Sequence, residues 1–400
     1  MKKSLLFFIA FLAGATCFAQ KDTAAPQYIP IVNGFYNLEN MFDTVDNPKT
    51  IDEEFLPTSA KRYGKEIYTK KLHNLASTLG QIGTDVNPDG LAFFGVVEIE
   101  SDSALNDLTK QKEFENRNYK YIITHCDDAR GINVGLVYSE KYLDVKYIHA
   151  YKVDVGYNTR DILYVKGILI DEPVHILVNH WPSRRGSGNG RSYVEDQQYY
   201  RSLNISGPGT AAATIGDRAF TGTGAVSDGH GNTVTWNAIG NDDGQGNEQF
   251  RYKAAADCRK IVDSIFAIEP NAKIIVMGDL NDNPTNPSVT DAMKAKSDIA
   301  DTKPGDIYNP YINIYKQGYG TIGWRGHWHL FDQIMFSHAL LDQQNSSLFL
   351  YKTHIFYRDF LIEQKDERYK GYPRRTWAGD VYADGYSDHL PVYDVLLKRF

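Results

Sequence analysis

The chain has 400 residues, is 42% hydrophobic and carries a formal charge of −7. That is ample apolar material for a large core. The acidic balance argues against a protein that coats nucleic acid by bulk attraction, though not against a local basic groove. The 27 tyrosines fit a sheet-rich fold.

Lys2 and Lys3 precede an apolar run from Leu5 to Ala13, and Cys17-Phe18-Ala19 supplies small residues before Gln20. This is the layout of a signal peptide over 1–19, and the run is too short to span a bilayer comfortably. Gly14 stands where a lipid-attachment signal usually carries Leu, so anchoring through Cys17 is the less favoured alternative. A secreted or periplasmic protein covering 20–400 is expected, with no later membrane span. Cys126 and Cys258 then remain; pairing depends on their distance, and Cys258 lies on a helix face suited to a buried thiol.

Tyr28 to Tyr36 predicts a first strand, running into Asn37-Leu38-Glu39-Asn40. In extended chain, residues two apart share a face, so Asn37 and Glu39 are expected to face one spot; a capped turn is the alternative. Lys61 to Ile82 predicts a helix, because Leu72, Leu75, Ala76, Leu79 and Ile82 recur at three and four. Its Lys65, Lys70 and Lys71 read as a solvated face. Leu91 to Val97 predicts a buried strand ending in Glu98, which suits a hard cation or a basic partner.

Tyr119 to Thr124 with Val134 to Tyr138, and Asp161 to Ile170 with Pro173 to Asn179, predict two strand pairs. The first is joined by a polar turn holding Asp127, Asp128, Arg130 and Gly131. The second delivers His180-Trp181-Pro182-Ser183-Arg184-Arg185, a sequence that fits a phosphate site and a surface turn equally well. From about 192 to 250 the composition shifts, with ten glycines among the fifty residues from Arg201 to Phe250. This predicts an inserted surface lobe.

Arg251 to Ile268 returns to helical period, with Ala254, Ala255, Cys258, Ile261, Val262, Ile265 and Phe266 on its apolar face. Next, Lys273 to Pro284 reads KIIVMGDLNDNP. Ile274 to Met277 predicts a strand buried on both faces. It stops at Gly278 and leaves Asp279 and Asn281 just past its end, where α/β proteins place sites; a solvated turn is the alternative. His327 to Phe336 predicts a strand with Asp332 inside it, a charge that needs a partner. His327 and His329 read as strand residues, since two His without further ligands make a weak zinc signal. Finally, Ser387-Asp388-His389-Leu390-Pro391 leads into a last strand from Val392 to Leu397. It sets an acid beside an imidazole able to shuttle protons near neutral pH.

In order, Asn37-x-Glu39, Glu98, His180, Gly278-Asp279-x-Asn281-Asp282, Asp332-Gln333-Ile334 and Ser387-Asp388-His389-Leu390-Pro391 resemble the motif set of the endonuclease/exonuclease/phosphatase superfamily, the deoxyribonuclease I-like group. The resemblance implies an α/β fold, a four-layer α/β sandwich with two mixed β-sheets packed face to face and flanked by helices. It also implies metal-dependent hydrolysis of a phosphate ester, with Glu98 binding Mg²⁺ or Mn²⁺ and Asn37, Glu39 and Asp388 in or beside the metal shell. Asp279 and Asn281 match groups holding the attacking water and the phosphate. His389 matches the general base or phosphate-polarising His, Asp332 the carboxylate that orients it, and His180 a second His at the phosphate or leaving group. Arg184, Arg185, Arg325 and Arg375 are candidates to line a substrate groove. The insertion after His180 departs from many relatives. A monomeric nuclease is the expected activity. A phosphatase on a small phosphate ester and a binding protein that has lost catalysis are the alternatives.

Overall fold

The computed structural model describes residues 27–184, 222–227, 233–238, 247–324 and 326–400. Two large mixed sheets dominate. The first has six strands: β1 (Tyr28–Met41), β2 (Leu91–Ile99), β3 (Tyr119–Ile123), β4 (Asn133–Ser139), β16 (Leu348–Ile355) and β19 (Val392–Arg399), in spatial order β16-β19-β1-β2-β4-β3. The second has seven: β5 (Leu143–Tyr151), β6 (Ile162–Leu169), β7 (Glu172–His180), β10 (Ile274–Asp279), β11 (Ala295–Lys296), β12 (Ile307–Tyr308) and β15 (Asp332–Ser337), in spatial order β11-β12-β15-β10-β7-β6-β5. Three short antiparallel pairs stand apart: β8 (Gly222–Ser227) with β9 (Thr233–Ala238), β13 (Ile322–Trp324) with β14 (His327–His329), and β17 (Trp377–Ala378) with β18 (Val381–Tyr382).

Strand alternation builds the layers. Ile31, Phe35, Phe93, Val178, Ile275 and Met277 point inward and form the core between the sheets. Their neighbours Val32, Tyr36 and Phe94 point outward, under the helices α1 (Lys65–Leu79) and α2 (Asp102–Thr109). On the other side Leu177, Ile274 and Val276 meet Ala254, Cys258, Val262 and Ile265 of α3 (Glu248–Ile268). The short α4 (Tyr311–Lys316) closes one end, with Tyr311 joining the inter-sheet core. The architecture is the expected four-layer sandwich. The sheets come so close at Gly95 that a Cβ there would meet Met277 Sδ and Val178 Cγ1, both at 2.8 Å.

The elements differ from expectation in detail. The first strand runs on to Met41, because Asn37 to Met41 lies beside β2 across a bulge. The first helix is shorter, starting at Lys65 after turns around Ser59 and Arg62. The run from His327 to Phe336 is broken: Leu330 donates its N–H to Asn283 Oδ1, and Phe331 O accepts from Leu280 N, so Asp332 begins a strand instead of lying inside one. Strands β5 and β16 have no counterpart in the sequence reading. Cys126 and Cys258 are both free, the latter buried. The expected insertion lies largely outside the described residues. Among the described residues no helix is long and apolar enough to cross a membrane.

Candidate active site

Register places the chemistry. Strands β7 and β10 are parallel and pair His180 with Asp279. Strand β15 runs antiparallel on the other side and pairs Asp332 with the same Asp279. The first sheet contributes from the same edge: β1 and β2 are parallel and carry Asn37 and Glu98 near their C-terminal ends. Gly278 is required here, since a Cβ would sit 2.3 Å from Asn179 O. The chain before β19 is tied down by Ser387, whose Oγ donates to Asn37 O at 2.7 Å and accepts from His389 N at 3.1 Å.

A continuous line of polar atoms results. Glu98 Oε1 lies 3.9 Å from His180 Nε2, which lies 3.7 Å from Asp279 Oδ2. Asp279 Oδ2 accepts from Asn37 Nδ2 at 3.0 Å and stands 3.9 Å from His389 Nε2. His389 Nδ1 donates to Asp332 Oδ2 at 2.7 Å, and Asp388 Oδ1 is 3.9 Å from His389 Nε2. Seven residues, five at strand ends and two on the loop before β19, thus share one rim.

The charges are unequal. Burial opposes a charge on His389, but the Asp332 and Asp279 carboxylates and the Asp332 hydrogen bond outweigh it, so its pKa is raised well above the ordinary value. His180 moves the other way: burial, then the charges of Arg160, Arg130 and His389, hold it neutral. Its Nδ1 is buried without a hydrogen-bond partner among the described residues. Burial pushes Asp279 up to about 7, with Asp332 adding and His389 opposing.

Local backbone redirects several predicted residues. Glu39, Glu98 and Asn281 all have positive φ, so residues two apart do not share a face as extended chain would require. Glu39 accepts from Thr376 N at 2.6 Å and Trp377 N at 3.4 Å. Burial and the Asp388 charge push it up to about 7. Asn281 donates its amide to Trp181 O at 3.0 Å. Arg184 is buried and spends its guanidinium on Asn281 O, Asp282 and Asn286. Arg375 reaches the rim, 3.7 Å from Asp388 Oδ2 and 4.3 Å over the Tyr369 ring. Arg185 and Arg325 lie outside the described residues.

The residues open to a cation are Glu98 and Asp388. Glu98 Oε2 accepts from Asn40 N, leaving Oε1 toward the cleft. Both side chains are partly exposed, at 18% and 23%. Carboxylate oxygens with room for water fit a hard divalent ion. Asp279, Asp332 and His389 also bring one ligand atom each within 4.8 Å, but the Asp332–His389 hydrogen bond gives that trio to proton handling.

Two features escaped the sequence reading. Lys71 is not solvated: it is fully buried, donating to Glu39 O and Thr376 Oγ1, both at 2.7 Å. The signal was its place four residues before Leu75, on the buried face. Asp128 gathers two arginines, Arg130 at 3.2 Å and Arg160 at 3.1 Å, and Arg160 also donates to Trp181 O. No spacing rule links these segments.

A family profile described as "Endonuclease/Exonuclease/phosphatase family" matches residues 32–197 and 235–398. No curated protein matches the chain. The crystal structure of humanized D. rerio TDP2 is similar at 11% identity, covering 92% of this chain and 98% of that one, with TM-score 0.49. An endonuclease/exonuclease/phosphatase family protein from Bacteroides thetaiotaomicron is 13% identical, covering 93% and 99%, with TM-score 0.47. The human Nocturnin catalytic domain with bound sulfate is 11% identical, covering 93% and 97%, with TM-score 0.46.

Proposed function

The chain belongs to the endonuclease/exonuclease/phosphatase family, whose members hydrolyse phosphoester bonds, and from that premise we propose a divalent-metal-dependent phosphodiesterase acting on nucleic acid. The observation that carries this reading is Asp279 held between two imidazoles of opposite character, the cationic His389 and the neutral His180. A phosphodiester is anionic, so its hydrolysis needs charge neutralisation, an activated water and help for the leaving oxygen.

Glu98 and Asp388 would hold Mg²⁺, which supplies charge neutralisation and lowers the pKa of water. Asp279, poised near neutral pH, accepts the proton of the attacking water, while Asn37 Nδ2 fixes the receiving carboxylate. Asp332 orients His389 through Nδ1, leaving Nε2–H to polarise a phosphoryl oxygen. His180 donates a hydrogen bond from Nε2 without adding charge. Arg375, stacked on Tyr369 at the rim, suits a neighbouring phosphate or base of a polymer. The net charge of −7 favours a second reading, a phosphatase on a small ester that needs no extended basic surface.

Purified protein incubated with plasmid, RNA and a panel of small esters, with Mg²⁺ or chelator, separates these. Mg²⁺-dependent nicking or RNA cleavage is expected. Release of inorganic phosphate from monoesters alone assigns the phosphatase, and silence on all substrates removes both readings. We also propose export, with cleavage before Gln20. Mass spectrometry of the mature protein checks this, and a mature form that retains residues 1–19 overturns it.

A further inference from the structure

Two rim residues, Arg375 and Asp388, come from one excursion of the chain between β16 and β19. Its arms are bonded to each other around the short β17–β18 pair. Ala383 N donates to Thr376 O at 2.8 Å, Tyr386 N donates to Arg374 O at 2.7 Å, and Thr376 Oγ1 donates to Tyr386 O at 3.3 Å. The arms lie so close that a Cβ on Gly385 would collide with the carbonyls of Arg374 and Arg375. Whatever holds Thr376 and Gly385 therefore holds Arg375 on one arm and the approach to Asp388 on the other.

Helix α1 reaches both arms. Lys71 Nζ donates to Thr376 Oγ1 at 2.7 Å, and Asn74 Nδ2 donates to Gly385 O at 2.8 Å. The two residues are three apart and share a face of the helix. Both are buried, at 0% and 5% exposure. Lys71 also donates to Glu39 O at 2.7 Å, where the backbone has φ 47°, and the Glu39 carboxylate accepts from Thr376 N. A face that needed only to pack would carry Leu here, as it does at Leu72, Leu75 and Leu79. Burying an ammonium and an amide costs free energy that their hydrogen bonds only roughly offset. Burial pushes Lys71 down to about 8, with Glu39, Asp388 and Glu98 pulling the other way. Packing alone does not account for either residue.

We propose that Lys71 and Asn74 are positioning residues for the reaction. Through Thr376 and Gly385 they hold the two arms of this excursion in the one arrangement that sets Asp388 toward the cation and Arg375 toward the phosphate. Neither residue touches substrate or ion. The inference rests on the metal-dependent reading above.

The test is calorimetric titration of the full chain with Mn²⁺, alongside plasmid nicking at saturating Mg²⁺. Three variants keep the charge of the site: Asn74→Ala, Thr376→Val, and Lys71→Arg, whose wider fork cannot replace a single ammonium. Each is expected to bind Mn²⁺ about 10-fold more weakly and to lose about 10-fold in kcat. Leu75→Ala, on the same helix face but without a bond to either arm, is the control; it is expected to lower Tm and leave Mn²⁺ affinity unchanged. Unchanged affinity in Thr376→Val and Lys71→Arg overturns the role of Lys71, and unchanged affinity in Asn74→Ala overturns that of Asn74. An equal loss in Leu75→Ala overturns both, because general loosening of α1 then explains the effect. If Lys71→Arg fails to fold, Thr376→Val decides for Lys71 alone. If Asn74→Ala fails to fold, Asn74→Gln, which keeps the amide but moves it by one methylene, decides by the same criterion. An unsubstituted protein that takes up no Mn²⁺ removes the metal reading and this inference with it, whereas normal uptake there and in every variant overturns the inference alone.

Discussion

At the scale of single residues, the site works by making similar groups unlike one another. His180 and His389 flank the same carboxylate, 3.7 and 3.9 Å from Asp279 Oδ2. One is neutral beside two arginines and the other is charged beside Asp332. Replacing Asp332 with Asn removes one of the negative charges that outweigh burial at His389. Its raised pKa must therefore fall towards the ordinary value of 6.5. The sign carries through to stability. The His389–Asp332 pair stabilises the fold fully below the unfolded pKa and loses that contribution as pH rises through the folded value. NMR titration of the His389 ring is expected to show a lower pKa in Asp332→Asn than in the unsubstituted protein; an unchanged pKa removes the assignment. For the chemistry itself, His389→Ala and Asp279→Asn are each expected to lower turnover by about 10²–10⁴-fold, with the circular dichroism spectrum retained. Full activity in either would end the catalytic reading.

At the scale of elements, strand β10 is the piece around which the second sheet's part of the site is registered. Its apolar run packs both ways, Ile275 and Met277 inward and Ile274 and Val276 under α3. Gly278 lets it lie against β7 beside Asn179. A Gly278→Ala change puts a Cβ into a space closed at 2.3 Å by backbone. It should cost roughly 1–3 kcal/mol, read as a lower urea midpoint with an unchanged slope; an unchanged midpoint would show that the strands separate without penalty. This element was legible in the sequence because buried strands and glycine stops leave local marks. So were β2, the β6–β7 hairpin and the long helices α1 and α3, whose apolar residues keep a fixed period; the short α2 and α4 had no counterpart in the reading. Strand β5 left no such mark: it is an edge strand, largely exposed, and its LDVKYIHAY pattern mixes charge into every turn of the pleat. The direction of Glu39 and Asn281 was hidden for another reason. Both have positive φ, and their side chains bond to distant segments, Thr376 for one and Trp181 for the other, which no local pattern announces. Lys71 was misread because a charge on an otherwise regular helix looks solvated until its partners arrive from residues 39 and 376.

At the scale of the whole molecule, the two sheets each carry half of the rim. Asn37, Glu98, Asp388 and His389 belong to the first sheet or the chain leading into it, while His180, Asp279 and Asp332 belong to the second. The alignment of these halves rests on the core between the sheets, not on any hydrogen-bonded ladder. Loosening that core should therefore harm activity before it harms the fold. Leu136 lies in the inter-sheet core on β4, and Leu75 lies on α1, packed against the outside of the first sheet. Both are fully buried, and Leu→Ala at either should cost about 2–5 kcal/mol. The two variants are matched in stability but not in where the cavity opens. A displacement of the reacting groups by about 1 Å can cost on the order of 10²-fold in rate. Assayed well below Tm, Leu136→Ala is expected to lose at least tenfold more kcat than Leu75→Ala, each compared with the unsubstituted protein. Equal losses would mean that the rim is held together by its own hydrogen bonds, chiefly Ser387 to Asn37 and Asn37 to Asp279, and that the sandwich core only supplies stability.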